Sequence, residues 1–285
     1  MPRKPLPPQL GTAFTISQAR RAGASRGRMR AGDLRRPFHG VRVAGDLGSL
    51  VSRAKALLPV LPPGSAFSHW TAAQLWHLPL PPGHPSDLQV TLPAGAGRIR
   101  RPGVCVHRAS RPAVRHRSGL RVVTPEATWC DLAGTLDLAD LVILGDAVVS
   151  RIDSTETLCQ ALAAYSGRRG VAAAREALGL VRIGSRSPQE TRGRLLFHDW
   201  GLPEPELNAD ILDESGWLAN VDFLWRARRV IGEYYGGVHA SSWKQDLGRT
   251  ALLEDAGFRV VVMTGRDFGP GNAQLRARLR RLLTD

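Results

Sequence analysis

The pattern of apolar and polar residues in the last third of the chain predicts a β-hairpin. An apolar run that ends at Trp225 is followed by the charged residues 226–229, and a second apolar run begins at Val230. Two short apolar runs joined by a polar loop of this kind are typical of a hairpin. If residues 226–229 form the loop, Trp225 pairs with Val230, and the same register places Asp222 directly opposite Glu233.

An opposed pair of carboxylates in an apolar hairpin needs either solvent or a cation. Directly opposed side chains on paired strands have Cβ atoms about 5 Å apart, so both carboxylates can reach one divalent ion. Without such an ion, the like charges repel and one pKa rises. Asp222 has an alternative role in a surface salt bridge with the nearby arginines. Glu233 precedes Tyr234, Tyr235 and Gly236 at a strand end, where glycine lets a ligand approach closely.

The flanking pattern predicts helices and further strands around this hairpin. Ser187, Pro188 and Glu190 match the start of a helix, as the cap, the first helical residue and the capping-box acid. Glu190 therefore serves either as a capping group or as a metal ligand. The remaining predicted elements are strands 207–212, 217–225, 230–235 and 258–263 and helices 243–256 and 272–283.

This segment resembles the core of the PD-(D/E)XK nucleases, and most of all the endonuclease-like domains related to very-short-patch repair. The resemblance covers residues 185–268, and its motif positions are Glu190, Asp222, Glu233, Gly236, His239, Asp246 and Arg249. It implies a restriction-endonuclease-like fold, hydrolysis of DNA phosphodiester bonds, and Mg²⁺ or Mn²⁺ held by Glu190, Asp222 and Glu233.

The resemblance also implies catalytic roles for Asp222, Glu233 and His239. Tyr235 stands where the wider superfamily has a lysine and these relatives often an aspartate, and a phenol supplies neither charge. Lys244 is the candidate substitute for the missing cation. A structural role for His239 is the alternative, and a simple ion pair between helix neighbours is the alternative for Asp246 and Arg249.

The first 60 residues read as two short helices followed by a hairpin. Thr15 and Ser25 are caps for helices that end near Gly23 and Gly32, and residues 34–43 have a hairpin pattern with its tip at residues 37–40. Helix, tight turn, basic helix and basic hairpin together describe a winged helix-turn-helix. In such a fold the second helix and the wing contact DNA, and the predicted DNA-binding residues are Arg26, Arg28, Arg30, Arg35, Arg36 and Arg42.

This N-terminal segment resembles the DNA-binding domain of AbiEi-type antitoxins, which are autorepressors. The resemblance implies DNA as a ligand and a cognate toxin as a possible partner. A protein-docking role is the alternative for a winged helix.

The middle segment reads as a mixed α/β domain. Strands 88–92 and 104–107, separated by the Gly/Arg loop 95–101, predict an antiparallel hairpin. Helices are predicted after Ser68, after Thr124, and at residues 138–149, 155–164 and 171–180. The stretches SHWTAAQLWHLPLP and TPEATWCDLA resemble the middle of AbiEi-like proteins, which implies a structural and interaction role.

The distribution of charge assigns the contact with a polyanion to the N-terminus. Of the formal net charge of +14, residues 1–60 carry 12 basic against two acidic side chains, whereas residues 185–285 are neutral. An arginine-rich composition throughout the proteome is the alternative explanation. The chain has three scattered cysteines, no apolar run near the roughly 20 residues of a membrane span, and no apolar signal-peptide region, so a cytoplasmic protein is expected.

These observations predict an α/β (α+β) protein with three domains. They are a winged helix-turn-helix at 1–60, an AbiEi-like middle domain at 61–184 and an endonuclease-like domain at 185–285. The first functional hypothesis is a metal-dependent endonuclease. The alternatives are a non-catalytic AbiEi-like antitoxin or repressor and a nucleic-acid scaffold without a defined operator.

Overall fold

The computed structural model describes residues 4–109, 112–214, 216–236, 243–269 and 272–284, with only the backbone for 243–247. Contacts between Cα atoms divide the chain into two compact units, Met1–Leu132 and Ala133–Asp285. Helices and sheets occur in both units, which confirms the predicted α+β class. The three-domain division at 60/61 and 184/185 stays a prediction.

The N-terminal unit combines seven strands with five helices among its described residues. Its strands are β1 (Ala13–Thr15), β2 (Val41–Val43), β3 (Ala66–Phe67), β4 (Leu88–Pro93), β5 (Val104–Ala109), β6 (Val114–Arg117) and β7 (Leu120–Val123). Its helices are α1 (Ile16–Arg21), α2 (Arg26–Arg30), α3 (Leu50–Leu57), α4 (His69–Leu75) and α5 (Pro125–Leu132).

The first 45 residues contain the predicted elements in the predicted order. Thr15 caps α1 in a reciprocal capping box with Gln18, and Ser25 caps α2 by accepting the backbone N–H of Arg28 at 3.2 Å. Arg35 and Val43 then exchange two backbone hydrogen bonds of 3.0 and 3.1 Å, which closes the expected hairpin. The winged-helix arrangement of these elements stays a prediction.

The prediction of an antiparallel hairpin from β4 and β5 is wrong. The five-stranded sheet has the order β5-β4-β3-β7-β6, and β4 runs parallel to β5 from the pair Leu88 and Val104 onward. The antiparallel neighbour of β4 is β3, which is only two residues long. Apolar alternation indicates which face of a strand is buried but carries no information on strand direction, so the pattern could not distinguish the two arrangements.

The C-terminal unit contains six helices and a four-stranded sheet among its described residues. The helices are α6 (Leu138–Val149), α7 (Glu156–Ala164), α8 (Val171–Leu180), α9 (Pro188–Asp199), α10 (Trp243–Asp255) and α11 (Ala273–Leu283). The strands are β8 (Glu206–Asp213), β9 (Gly216–Trp225), β10 (Val230–Tyr234) and β11 (Arg259–Met263). The sheet order is β11-β10-β9-β8, with β10 and β11 parallel and the other neighbours antiparallel.

Two apolar clusters hold this sheet between helices. One combines residues of α9 and α11 with the strands, and the ring of Phe197 packs edge-on against Phe223 at 5.1 Å between centroids. Gly193 of α9 lies against the same ring, where a Cβ atom would come within 3.0 Å of Phe223. The other cluster brings Leu253 of α10 against the strands. The helix that carries Glu190 and the helix that carries Arg249 are thereby fixed to the sheet.

A buried ion pair joins α6 to α9. Asp146 and Arg194 expose 1% and 3% of their side chains, and their charged groups are 2.9 Å apart. Asp146 also accepts hydrogen bonds from the Thr191 hydroxyl and the Arg182 backbone N–H, each at 2.8 Å. Burial nevertheless raises the pKa of Asp146, because desolvation outweighs the opposing effect of Arg194 and the hydrogen bonds. The pair is therefore sensitive to removal of either partner.

Candidate functional site

The hairpin of β9 and β10 has the register predicted from the sequence. Trp225 pairs with Val230, and the next pairs extend the ladder to Phe223 and Gly232. The loop forms a 3-10 turn over Arg226–Arg228, and Arg229 closes it in the left-handed conformation with φ of 51°. This pairing ends one position before Asp222 and Glu233, so the predicted hairpin register is confirmed as far as Phe223 and Gly232, and the direct opposition of the two acids stays a prediction.

The side chain of Asp222 on β9 forms a hydrogen bond with the backbone of the neighbouring strand β10. The Asp222 carboxylate accepts the backbone N–H of Tyr234 at 2.8 Å. Burial raises the pKa of Asp222 above its ordinary value of 3.8, and the negative charge of Glu190 acts in the same direction. The Tyr234 N–H, Arg249 and Arg186 oppose the shift without cancelling it. Asp222 is half-buried and belongs to a cluster of charged side chains with Glu190, Arg249 and Arg186.

Glu233 is 4% exposed and forms an ion pair with Arg249 of α10. Arg249 also donates to the backbone carbonyl of Asn220 at 2.9 Å. This guanidinium consequently links α10 to β9 and β10 at the acid site. The alternative pairing of Arg249 with Asp246 concerns a side chain outside the described residues.

Glu190 is 6% exposed and has both structural and site contacts. Its backbone N–H donates to the Ser187 hydroxyl at 3.2 Å, so the predicted cap is confirmed. A capping box requires the Glu190 carboxylate to accept the backbone N–H of Ser187, and this hydrogen bond is not formed. It accepts instead from the Arg186 backbone N–H at 2.8 Å and from the Asn208 side chain at 2.5 Å.

The sequence reasoning missed three polar residues that complete this cluster. Asn208 has a left-handed backbone with φ of 48°, and its carbonyl accepts the Asn220 side-chain amide at 2.7 Å. Arg186 donates to the Asn220 side-chain oxygen at 2.8 Å. The sequence does show one asparagine within each of the two apolar strand patterns. Their contact, however, depends on the register of β8 against β9, which contains a bulge at Ile211/Leu212.

The three predicted metal ligands have suitable chemistry, and their role as ligands stays a prediction. Mg²⁺ prefers carboxylate oxygens, and Glu190, Asp222 and Glu233 supply them. Each of these carboxylates accepts a hydrogen bond from a different protein group. Within the part of the chain that the structure describes, no three acidic, histidine or cysteine side chains converge as a metal site requires.

Two predicted catalytic residues, His239 and the side chain of Lys244, lie outside the described residues. Tyr235, at the position of the missing lysine, is half-buried, and its hydroxyl lies 3.4 Å from the Thr250 hydroxyl on α10. This phenol therefore supplies a polar contact to α10 and no charge to the acid pair.

The six predicted DNA-binding arginines fall into two groups. Arg26, Arg30 and Arg35 are exposed, and their backbones lie on α2 or in the hairpin. Arg28 donates two hydrogen bonds to Asp33 at 2.9 and 2.7 Å, and its side chain is 9% exposed. Arg36 and Arg42 donate to backbone carbonyls. DNA binding by all six stays a prediction, and Arg28 has a clear structural role.

Replacing Asp222 with asparagine is expected to stabilise the folded chain at pH 7. Because the folded state raises the pKa of Asp222, it binds more protons than the unfolded state above pH 3.8, and stability falls as pH rises through that window. An asparagine does not titrate and its carbonyl can still accept the Tyr234 N–H. Urea unfolding should show a gain of roughly 0.5–2 kcal/mol at pH 7, as is usual when a polar site is relieved, and no gain near pH 3. A loss at pH 7 would contradict the burial argument.

Comparison with known proteins locates this chain in a family. Residues 72–180 match the family described as the AbiEi antitoxin C-terminal domain. Two Mycobacterium tuberculosis proteins, "Uncharacterized protein MT2308" (strain CDC 1551 / Oshkosh) and "Uncharacterized protein Rv2248" (strain ATCC 25618 / H37Rv), are each 30% identical over 185 residues. These alignments cover 64% of this chain and 68% of each relative. The chain belongs to the same family as these two mycobacterial proteins.

In this family member, the AbiEi match begins within α4 and ends with α8. The predicted AbiEi-like character of the middle segment is thereby confirmed over that range. The solved structure titled "Crystal structure of RV2827C protein from Mycobacterium tuberculosis" aligns with a TM-score of 0.41 and 19% identity, covering 71% of this chain and 84% of that one. None of the helices among the described residues has the length and apolar character needed to cross a membrane.

Proposed function

We propose that this protein is a DNA-binding regulator of the AbiEi antitoxin type, whose C-terminal unit keeps a nuclease-like acid site without catalysing hydrolysis. The observation that carries this proposal is the ion pair between Arg249 and Glu233. The N-terminal arginines bind a promoter, and the AbiEi-like segment makes a cognate toxin the expected protein partner.

Arg249 supplies the positive charge that a metal ion supplies in an active nuclease. The guanidinium group carries a positive charge, and its ion pair with Glu233 offsets the negative charge of that carboxylate. Removing the cation that pairs with a buried carboxylate is costly unless another cation takes its place. Metal binding at Glu233 therefore competes with Arg249, and Tyr235 gives no help because it is uncharged.

A promoter-binding assay tests the regulator. The full-length chain should bind duplex DNA from its own upstream region at least about 10³-fold more tightly than random duplex of equal length at physiological salt. Equal affinity for both duplexes, falling steeply as salt rises, would favour a scaffold without an operator. Neighbouring open reading frames provide the partner test, through co-purification of the regulator with an adjacent toxin.

A second candidate is the metal-dependent endonuclease, and the gathering of Glu190 and Asp222 in one charged cluster favours it. In that function Mg²⁺ or Mn²⁺ would be held by Glu190, Asp222 and Glu233 and would activate a water molecule. His239 and Lys244 keep their predicted roles in proton transfer or phosphate binding.

A cleavage assay separates the two candidates. Wild type, Asp222→Ala and Glu233→Ala are incubated with plasmid and linear DNA in Mg²⁺, Mn²⁺ or EDTA. If the protein is a non-catalytic regulator, the DNA should remain intact in every reaction. Nicking that requires metal and is lost in both variants would establish the endonuclease and overturn the non-catalytic proposal.

A further inference from the structure

A basic cleft lies between the N-terminal hairpin and the Gly/Arg loop that precedes β5. Its volume is about 390 Å³, and its main lining residues are Arg36, Phe38, His39, Arg42, Arg101 and Pro102. Arg101 comes from outside the first 60 residues, to which the sequence assigned the whole DNA contact. The three arginines supply the positive charge, and Phe38 and Pro102 supply apolar sides.

The cleft arginines are held in position by the backbone. Each guanidinium donates to at least one main-chain carbonyl oxygen. The acceptors are Arg30 for Arg36 (3.0 Å), Met29 and Val41 for Arg42 (2.8 Å each) and His39 for Arg101 (2.7 Å). A guanidinium has five N–H donors, and these contacts use one or two of them. The remaining donors belong to side chains that have already lost much of their rotational freedom.

The positive charge of the cleft has no acidic counterpart among the described residues. Arg36, Arg42 and Arg101 form no ion pair with any carboxylate of that part of the chain. Burial lowers the pKa of Arg42, and the nearby charge of Arg36 lowers it further. Like charges held together without a counter-ion favour binding of an external anion.

The loop that carries Arg101 is tied to the sheet. Arg101 forms an isolated bridge with Val104, whose backbone N–H donates to the Arg101 carbonyl at 3.1 Å. On the other side, the bond from Arg36 to the Arg30 carbonyl connects the cleft to α2, the predicted recognition helix. A phosphate in the cleft would therefore lie beside that helix.

We propose that this cleft binds a phosphate group of the DNA backbone, with Arg101 acting as a ligand together with Arg36 and Arg42. The inference rests on the DNA binding in the proposed function and adds a site to it. Planar guanidinium groups match phosphate oxygens by paired hydrogen bonds. Phosphate contacts orient a protein on DNA and carry no sequence information themselves.

The test compares Arg101→Ala with Arg100→Ala, a neighbouring exposed arginine outside the cleft lining. Both variants lose one positive charge. Each phosphate contact contributes about 0.9 to the logarithmic salt slope, which corresponds to roughly eightfold in affinity at 0.1 M salt. Arg101→Ala should lose that affinity on promoter and random duplex alike. Arg100→Ala should lose less than about twofold, because Arg100 is outside the cleft lining and an exposed charge without a direct phosphate contact is partly screened by salt.

Arg101→Gln serves as the second variant, since its amide can still donate to the His39 carbonyl without carrying charge. Its salt slope should fall as in Arg101→Ala, with an unchanged melting temperature. If wild type binds DNA and all three variants match it, the cleft is not a phosphate site, although the regulator stands. A third outcome is that wild type binds no DNA, while inorganic phosphate or AMP raises the melting temperature of wild type but not that of Arg101→Gln. The cleft would then bind phosphate from a ligand other than DNA, and the proposed function would be wrong. No effect of any ligand would overturn both.

Discussion

Replacing Arg194 with alanine is expected to lower the free energy of unfolding by about 3–5 kcal/mol, the usual cost of removing one partner of a buried ion pair. Arg194 is 3% exposed, and its loss leaves Asp146 charged in the interior without its only ion-pair partner among the described residues. The pKa of Asp146 is already raised by burial, so the variant should respond strongly to pH. Its stability should recover in part as the pH falls through the raised pKa of Asp146, because protonation removes the stranded charge.

Arg192 provides a matched control on the same helix. It pairs with Asp140 of α6, but it is 42% exposed, so Arg192→Ala should cost only about 0–1 kcal/mol. Native-state hydrogen exchange of the α6 and α9 amides reports the loss locally, which avoids assuming that the two units unfold together. The double variant Asp146→Leu/Arg194→Met should lose less stability than Arg194→Ala, because apolar residues of similar volume avoid the desolvation cost. Equal losses of stability for Arg192→Ala and Arg194→Ala would show that the ion pair of Asp146 and Arg194 is solvated.

Replacing Arg26, Arg30 and Arg35 together with alanine is expected to weaken DNA binding by roughly 10²- to 10³-fold at 0.1 M salt. All three are exposed, and three lost phosphate contacts at about eightfold each give this range. The salt slope should fall by about 2.7 at the same time. Fluorescence anisotropy with a labelled promoter duplex at several salt concentrations measures both quantities.

The control for this triple variant removes the same charge from the C-terminal unit. Arg266, Arg276 and Arg281 are also exposed. If the N-terminal surface makes the phosphate contacts, replacing these three with alanine should change DNA affinity by less than about threefold, since salt screens charges that make no direct contact. Similar losses in the two triple variants would mean that net charge, and not the N-terminal surface, governs binding. A promoter preference that disappears only in the N-terminal variant would assign base recognition to that surface.

Local sequence patterns predicted most of the secondary structure and the register of one hairpin. Thr15, Ser25 and Ser187 cap the helices expected of them, because capping depends on residues only three positions apart. The hairpin register that pairs Trp225 with Val230 followed from a loop of four residues, since turn type and loop length set the pairing of adjacent strands.

Tertiary structure decided how separated segments meet and which partner each charge takes. Three features join positions that lie 16 to 65 residues apart in the chain. They are the direction of β4 against β5, the pairing of Glu233 with Arg249, and the addition of Arg101 to a cleft beside residues 36–42. The sequence by itself determined the elements, their order, the acids and the location of the positive charge. Only the folded chain determined that the three acids accept hydrogen bonds from protein groups. It also determined that Arg36, Arg42 and Arg101 form no ion pair with a carboxylate of the described residues, because ion pairing depends on distances of a few ångströms that sequence spacing does not specify.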